Sequence, residues 1–285
     1  MRFGIHCRLW TTAWSNANLP LIEHARELGF TAFEISMVDL SAIDPHKIRA
    51  RADAVEIGVV GTLSLTGDLG LGSPDRTVRN RTVKHLQAAV EAAREMGARF
   101  LGGVLYAVPG RFSGRGPTPD ELAWIAEGLT EVARFARGFD VTLGIEPVNR
   151  YETYVINTAA QAQALIDRIG ELNVGLLLDT YQMNIEERGI ASTIRQHATS
   201  IRHLHLNESD RGCLGGGNID WAALSSVLKE IEYDGIGSIE VFGAPSPQIP
   251  TLTPVWRQLF PSPDHLAVAG LAFLTRHLGR AISAI

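Results

Sequence analysis

Four residues stand at comparable places in the second half of the chain. Glu146 closes "VTLGIE" (141–146), Asp179 closes "VGLLLD" (174–179), His205 lies in "IRHLHL" (201–206) and Glu240 in "GSIEVF" (237–242). Each follows an apolar run of the kind that forms strands. A carboxylate delivered by Leu176, Leu177 and Leu178 is costly to bury unless something neutralises it. Three carboxylates converging on one point repel strongly in a low-dielectric pocket, and a divalent cation removes that cost and employs the imidazole as well. Oxygen and nitrogen donors without cysteine suit Mn²⁺, with Co²⁺, Mg²⁺ or Zn²⁺ as alternatives. Any one of the four taken alone reads as a satisfied core polar or a strand-end cap; four at matching strand ends read as a metal centre. A cation with open positions can hold a sugar carbonyl and its neighbouring hydroxyl and acidify the adjacent C–H. Glu146 and Glu240, on either side of the other two, could then remove and replace that proton, one on each face. The chemistry is proton transfer next to a carbonyl.

Such a constellation needs a scaffold that aims four strand ends together. Candidate strands are 2–7, 32–36, 58–63, 100–106, 141–146, 174–179, 201–206 and 237–242, alternating with helical patterns such as 19–29, 78–97 and 119–138. In the last, Leu122, Ile125, Leu129, Val132 and Phe135 recur at three- and four-residue spacing, as one buried face requires. Gly29, Gly97 and Gly138 stand where left-handed helix ends are expected. Eight such repeats with near-continuous apolar strands imply a parallel sheet covered by helices, and eight strands close a barrel. The competing doubly wound sheet would carry a Gly-rich fingerprint in its first turn, and "CRLWTTAW" has none. The expectation is α/β, a single (β/α)8 TIM barrel over residues 1–285, with function at the C-terminal strand ends.

The bulk numbers agree with this. Of 285 residues 45% are hydrophobic and 20% charged, ordinary globular values. A net charge of −5 disfavours a broad nucleic-acid surface; the one small basic cluster, Arg111 and Arg115, sits in a Gly/Pro-rich loop. Two cysteines, Cys7 and Cys213, fit a reducing compartment, and neither a signal peptide nor a membrane span is legible. A soluble cytoplasmic protein is the expectation.

With these residues in view, "GIEPVNRYETYVINT" (144–158), "LDTYQMNIEE" (178–187), "HLHLNESDRGCLGGGNIDW" (203–221) and "GSIEVF" (237–242) resemble the ketose 3-epimerases, the D-tagatose/D-allulose (psicose) group of the xylose-isomerase-like barrels. Lesser matches, "ARELGFTAFEIS" (25–36), "GSPDRTVRNRTVKHL" (72–86) and "VWRQLF" (255–260), extend the similarity over nearly the whole chain. The resemblance implies a metal, Mn²⁺ first, held by Glu146, Asp179, His205 and Glu240. It makes Glu146 and Glu240 the acid/base pair acting through a cis-enediolate on a free ketose such as D-fructose or D-tagatose. It assigns Glu152 and Arg211 to the substrate, matches Trp14 and Phe242 to apolar pocket walls, and implies a homodimer or homotetramer.

Two departures stand out. Gln182 occupies the place of a family histidine that contacts substrate oxygens; an amide can still donate and accept but cannot become cationic. In "YAVPG" (106–110) Val108 stands near where many relatives carry tryptophan. Zinc-dependent DNA-repair barrels, aldose–ketose isomerases, sugar-phosphate epimerases and a sugar- and metal-binding barrel without turnover are the rival readings. A phosphosugar enzyme would want a basic site or an anion nest at the mouth, for which "GCLGGGN" (212–218) could supply amides. His6, near the end of strand one, faces the barrel mouth and could line the pocket. His203 points the same way as His205 but deeper, and it and Glu34 are candidates to support the metal ligands from behind. His24, His85, His197, His265 and His277 read as surface or packing residues.

Overall fold

Valine-, isoleucine- and leucine-rich runs bounded by glycine and polar turns become strands β1 (Arg2–His6), β2 (Ala32–Ser36), β3 (Gly58–Thr62), β4 (Phe100–Gly103), β5 (Thr142–Ile145), β6 (Val174–Asp179), β7 (Ile201–His205) and β8 (Ile236–Ile239). They are parallel and close in sequence order, β8 pairing back onto β1. The computed structural model describes residues 1–243 and 257–279. Residues 255 and 256 of the "VWRQLF" match therefore lie outside the described residues.

The helices are α1 (Pro20–Glu27), α2 (Pro45–Ala54), α3 (Arg76–Glu95), α4 (Pro119–Arg137), α5 (Ala159–Ile169), α6 (Thr180–Glu186), α7 (Ile190–Gln196), α8 (Trp221–Glu230) and α9 (Pro263–Leu278). Helix α4 starts on a capping box in which the Thr118 hydroxyl accepts from the Glu121 amide while the Glu121 carboxylate accepts from the Thr118 amide. Its Ile125, Leu129 and Val132 are buried, with Leu122 and Phe135 half-buried against the same core. Gly29 and Gly97 adopt positive φ, 101° and 87°, as expected at helix ends. Gly138 does not. It stays right-handed at φ −63°, and the left-handed turn falls two residues later on Asp140, φ 56°. An aspartate tolerates that region, so the glycine was not needed there. Arg111 and Arg115 are tied down by loop carbonyls and by Glu121 rather than forming a free basic patch. Among the described residues no helix is long and apolar enough to cross a membrane.

The barrel interior explains how polar residues come to be deep. Side chains alternate along a strand, so His203 and His205 share a face, as do Gly102 and Phe100. A Cβ on Gly144 would lie 2.2 Å from the Phe100 ring and one on Gly102 would lie 2.5 Å from it. These two glycines thus leave the space that Phe100 fills beneath His203, ring centroids 5.1 Å apart. Above that floor the interior turns polar.

Strand β4 stops at Gly103, short of the expected Tyr106, because Gly103 takes φ 120° and its carbonyl turns to accept from the amides of Leu105 and Glu146. A Cβ there would meet the Leu63 carbonyl oxygen at 2.4 Å. Gly103→Ala is expected to cost about 2–3 kcal/mol, read from the midpoint of urea unfolding, because strain and a backbone clash coincide. A midpoint unchanged from wild type would disprove this account of the β4 end.

Candidate active site

Strands β6 and β7 place Asp179 directly beside His205 in register. Glu146 follows the last residue of β5, and Glu240 follows the last of β8, one position beyond the strand in which the sequence had suggested it. The four donors lie within 4.8 Å of one another. His205, fully buried, has Nδ1 3.4 Å from a Glu146 oxygen and 3.4 Å from a Glu240 oxygen. At that spacing Nδ1 makes no hydrogen bond, an unusual state for a buried ring nitrogen.

The other ring nitrogen is committed. His205 Nε2 lies 2.8 Å from Glu34 Oε1, and Glu34 Oε2 lies 3.1 Å from His203 Nε2. Glu34 is wholly buried; burial alone would raise its carboxyl pKa, but His205 and His203 hold it well below the usual range. Burial likewise opposes the charged form of His205, yet Glu240 and Glu34 hold it well above its ordinary value. Burial pushes the Glu240 carboxyl up to about 8, against the pull of His205 and with help from Glu146. These opposed shifts are what three acids and one imidazole do when confined together. The unpaired Nδ1 and the hard oxygen donors around it fit a divalent cation. Glu34, His203 and His205 form a second close group, but both Glu34 oxygens already serve the two imidazoles.

Two further residues set the geometry and escaped the sequence reading. Asn207 donates from Nδ2 to Asp179 Oδ1 at 2.9 Å and accepts the Glu240 amide on Oδ1 at 2.8 Å, so it links two of the acids. Tyr106 donates to the Glu146 carbonyl at 2.9 Å. The only signal for Asn207 was its place two residues after His205, on the same side of the chain.

Arg211, at φ 57°, reaches over this centre: Nη2 is 3.3 Å from Asp179 Oδ2 and 3.4 Å from Glu240 Oε2. Its guanidinium is sandwiched against the rings of Tyr181, 4.1 Å, and Phe242, 4.5 Å. Gln182 accepts the Asn149 amide on Oε1 and donates from Nε2 to Glu152 Oε1 at 2.9 Å. Burial raises the Glu152 carboxyl above its usual value. His6 ends β1, accepts the Arg8 amide on Nδ1 and therefore presents Nε2–H to Thr62 Oγ1 at 2.9 Å. It lines the same cavity as Glu146, Glu240 and Phe242. Trp14 stands apart, packed near Phe33 in the adjoining cavity. His203 bonds Glu34 and touches none of the four donors by hydrogen bond.

The Gly-rich loop does not form an open anion nest. The amides of Gly215 and Ile219, with Trp221 Nε1, donate to the buried carboxylate of Glu208 at 2.8–3.0 Å. The chain's own anion fills the nest.

A family model described as a xylose isomerase-like TIM barrel matches residues 22–277. An L-ribulose 3-epimerase of Mesorhizobium japonicum is 35% identical over 276 residues, spanning 96% of this chain and 93% of that protein. A D-psicose 3-epimerase of Enterocloster bolteae is 33% identical over 267 residues, spanning 92% and 89%. A crystal structure of a D-allulose 3-epimerase from Methylomonas sp. in complex with D-allulose superposes with a TM-score of 0.92 at 30% identity, covering 97% of each chain. With the closed barrel, the clustered strand-end donors and a family match over most of its length, the chain belongs to the xylose isomerase-like TIM barrel family.

Proposed function

We propose that the protein epimerises a ketose at C3, with Glu146 and Glu240 as the proton-transfer pair and Glu146, Asp179, His205 and Glu240 holding a divalent cation, Mn²⁺ before Co²⁺ or Mg²⁺. The observation that carries the reading is the pair of glutamates flanking the unpaired, buried His205 Nδ1 at 3.4 Å each. Relatives named L-ribulose and D-psicose 3-epimerases support it. A bound cation would supply electrophilic polarisation of the carbonyl and acidify the neighbouring C–H.

The protein's own residues do the rest. One glutamate takes the proton from C3, leaving an enediolate whose carbon is planar. The other delivers a proton to the opposite face, which inverts C3 and leaves the carbonyl at C2. Glu152, half-buried and carrying a raised pKa, hydrogen-bonds a hydroxyl near the reacting carbons, with Gln182 fixing its carboxyl. Arg211 holds substrate oxygens over the centre, Phe242 and His6 wall the pocket, and Trp14 lines the small cavity that adjoins it. Gln182 keeps the donor and acceptor capacity of the site but removes a titrating group, so the reaction type is retained while sugar preference changes.

Proton NMR of D-fructose in D₂O tests this, with metal-stripped protein and then with Mn²⁺ restored. Deuterium at C3 and new D-allulose signals, both dependent on the metal, are expected. Label at C1 with aldose formation would replace epimerisation by isomerisation. No exchange on fructose, tagatose, ribulose or their phosphates would refute the two-glutamate reading.

A further inference from the structure

Arg8 follows β1 by two residues and is only 4% exposed. Its backbone is pinned, the amide donating to His6 Nδ1 and the carbonyl accepting from Gly243. Its side chain is not. Nε and Nη2 are buried and have no hydrogen-bond partner, and the guanidinium rests 4.9 Å from the Phe242 ring centroid. The same side chain lines both the cavity that holds Glu146 and Glu240 and the smaller one beside it. Trp14 also lines that smaller cavity, and its buried Nε1 is a third donor atom without a partner. Ser36 lines both cavities, and Asp39, which lines the smaller one, spends Oδ1 on the amide and hydroxyl of Ser41.

A guanidinium that is buried and unpaired is expensive, because its lost hydration is repaid by neither hydrogen bonds nor a contacting counter-charge. Phe242 offers it a ring face but no counter-charge. Unlike Arg211, whose cation contacts Asp179 and Glu240, Arg8 touches no carboxylate among the described residues. Burial pulls its pKa below the ordinary value. Glu240, which lines the same cavity, opposes that shift without contacting the guanidinium; sugar hydroxyls could satisfy the N–H groups but would add no counter-charge. The planar N–H fork matches a carboxylate or phosphate.

We infer that Arg8, with Trp14 lining the same small cavity, is a specificity-determining site for an anionic substituent of the ketose, a carboxylate or a phosphate borne on a carbon away from the reacting one. The inference rests on the proposed C3 epimerisation and narrows its substrate class from free to acidic ketoses. It accounts for a buried cation that a neutral ketose would leave unpaired.

The test measures kcat/KM for C3 deuterium incorporation with the metal-loaded enzyme on D-fructose, D-fructose 1-phosphate, D-fructose 6-phosphate and D-fructuronate. One acidic ketose is expected to exceed D-fructose at least about tenfold, and the phosphate and carboxylate arms identify which anion the site takes. Arg8→Gln is expected to collapse that preference to within about threefold, Arg8→Lys to retain part of it, and Trp14→Phe to lower it a few-fold with the ring kept. D-fructose outpacing every acidic ketose in the wild type would overturn the inference while leaving C3 epimerisation standing. Arg8→Gln lowering all four sugars alike would do the same, since that marks a packing role. Absence of exchange on all four would overturn the epimerase reading itself.

Discussion

Glu240→Gln is expected to lower epimerisation of the preferred ketose by at least about 10³-fold, and Glu146→Gln to do the same, because general acid–base catalysis by a positioned carboxyl is worth about 10²–10⁴-fold and each glutamate is also proposed as a cation ligand. A loss of rate alone would not separate proton transfer from poor metal binding. The separating result is directional. With one base removed, the other still takes and returns a proton on its own face, so one epimer should incorporate deuterium at C3 without inverting while its partner stays inert. The two variants should select opposite epimers. NMR of both pure epimers in D₂O, with each variant saturated in Mn²⁺, reads this directly. Equal exchange of both epimers by either variant would remove Glu146 and Glu240 from the proton-transfer role. For Glu240→Gln misfolding is not expected to confuse the outcome. Burial already pushes Glu240 up to about 8 in the metal-free site, and a carboxyl with a raised folded pKa costs stability progressively as pH rises from its unfolded value to that pH, and in full above it. The neutral amide therefore leaves metal-free stability at pH 7 unchanged or improved.

Glu34→Ala should produce the largest stability loss of any substitution near the site, about 3–5 kcal/mol, because it strips the shared acceptor from two buried imidazoles. Glu34→Gln should cost less, since an amide can still accept from one ring and keeps the volume. The sign with pH follows from the depressed carboxyl. His205 and His203 hold Glu34 well below the usual carboxylate range, so its contribution is fully present above the unfolded value near 4.5 and fades as pH falls through the lower folded value. Urea unfolding of metal-free wild type and Glu34→Ala should therefore show a gap at pH 7 that narrows towards acid. A metal titration adds a second reading: Glu34 accepts from His205 Nε2 and leaves Nδ1 to face Glu146 and Glu240, so its loss should weaken Mn²⁺ binding about 10–100-fold. A gap below about 1 kcal/mol together with unchanged Mn²⁺ affinity would reduce Glu34 to a bystander.

Much of this was visible in the chain before folding. Each strand announces itself by a short apolar run, and each of Glu146, Asp179 and His205 stands at the end of one, so barrel closure and the donor quartet both follow from local pattern plus the count of repeats. The helical face of α4 was legible for the same reason, since periodicity is a local property. The Gly138 expectation failed because a helix end can pass its left-handed turn to a later residue such as Asp140, a choice made by packing rather than by composition. "GCLGGGN" looked like a nest for a ligand, and only the folded chain shows Glu208 inside it.

What the sequence alone determined, then, is what depends on near neighbours: where strands run, which side each residue faces, and which acids arrive at strand ends. What only the tertiary structure decided is which groups meet. Glu34 finds His203 and His205 across separations of 169 and 171 residues, and Asn207 bridges Asp179 and Glu240 from the segment just after β7. Arg8 reads in the sequence as one more arginine in "HCRLW"; its burial without a counter-ion exists only once β1 and the segment after β8 have closed around it. Pairing across a closed barrel is set by register and by the space left at Gly102 and Gly144, and neither leaves a mark on the residues that finally touch.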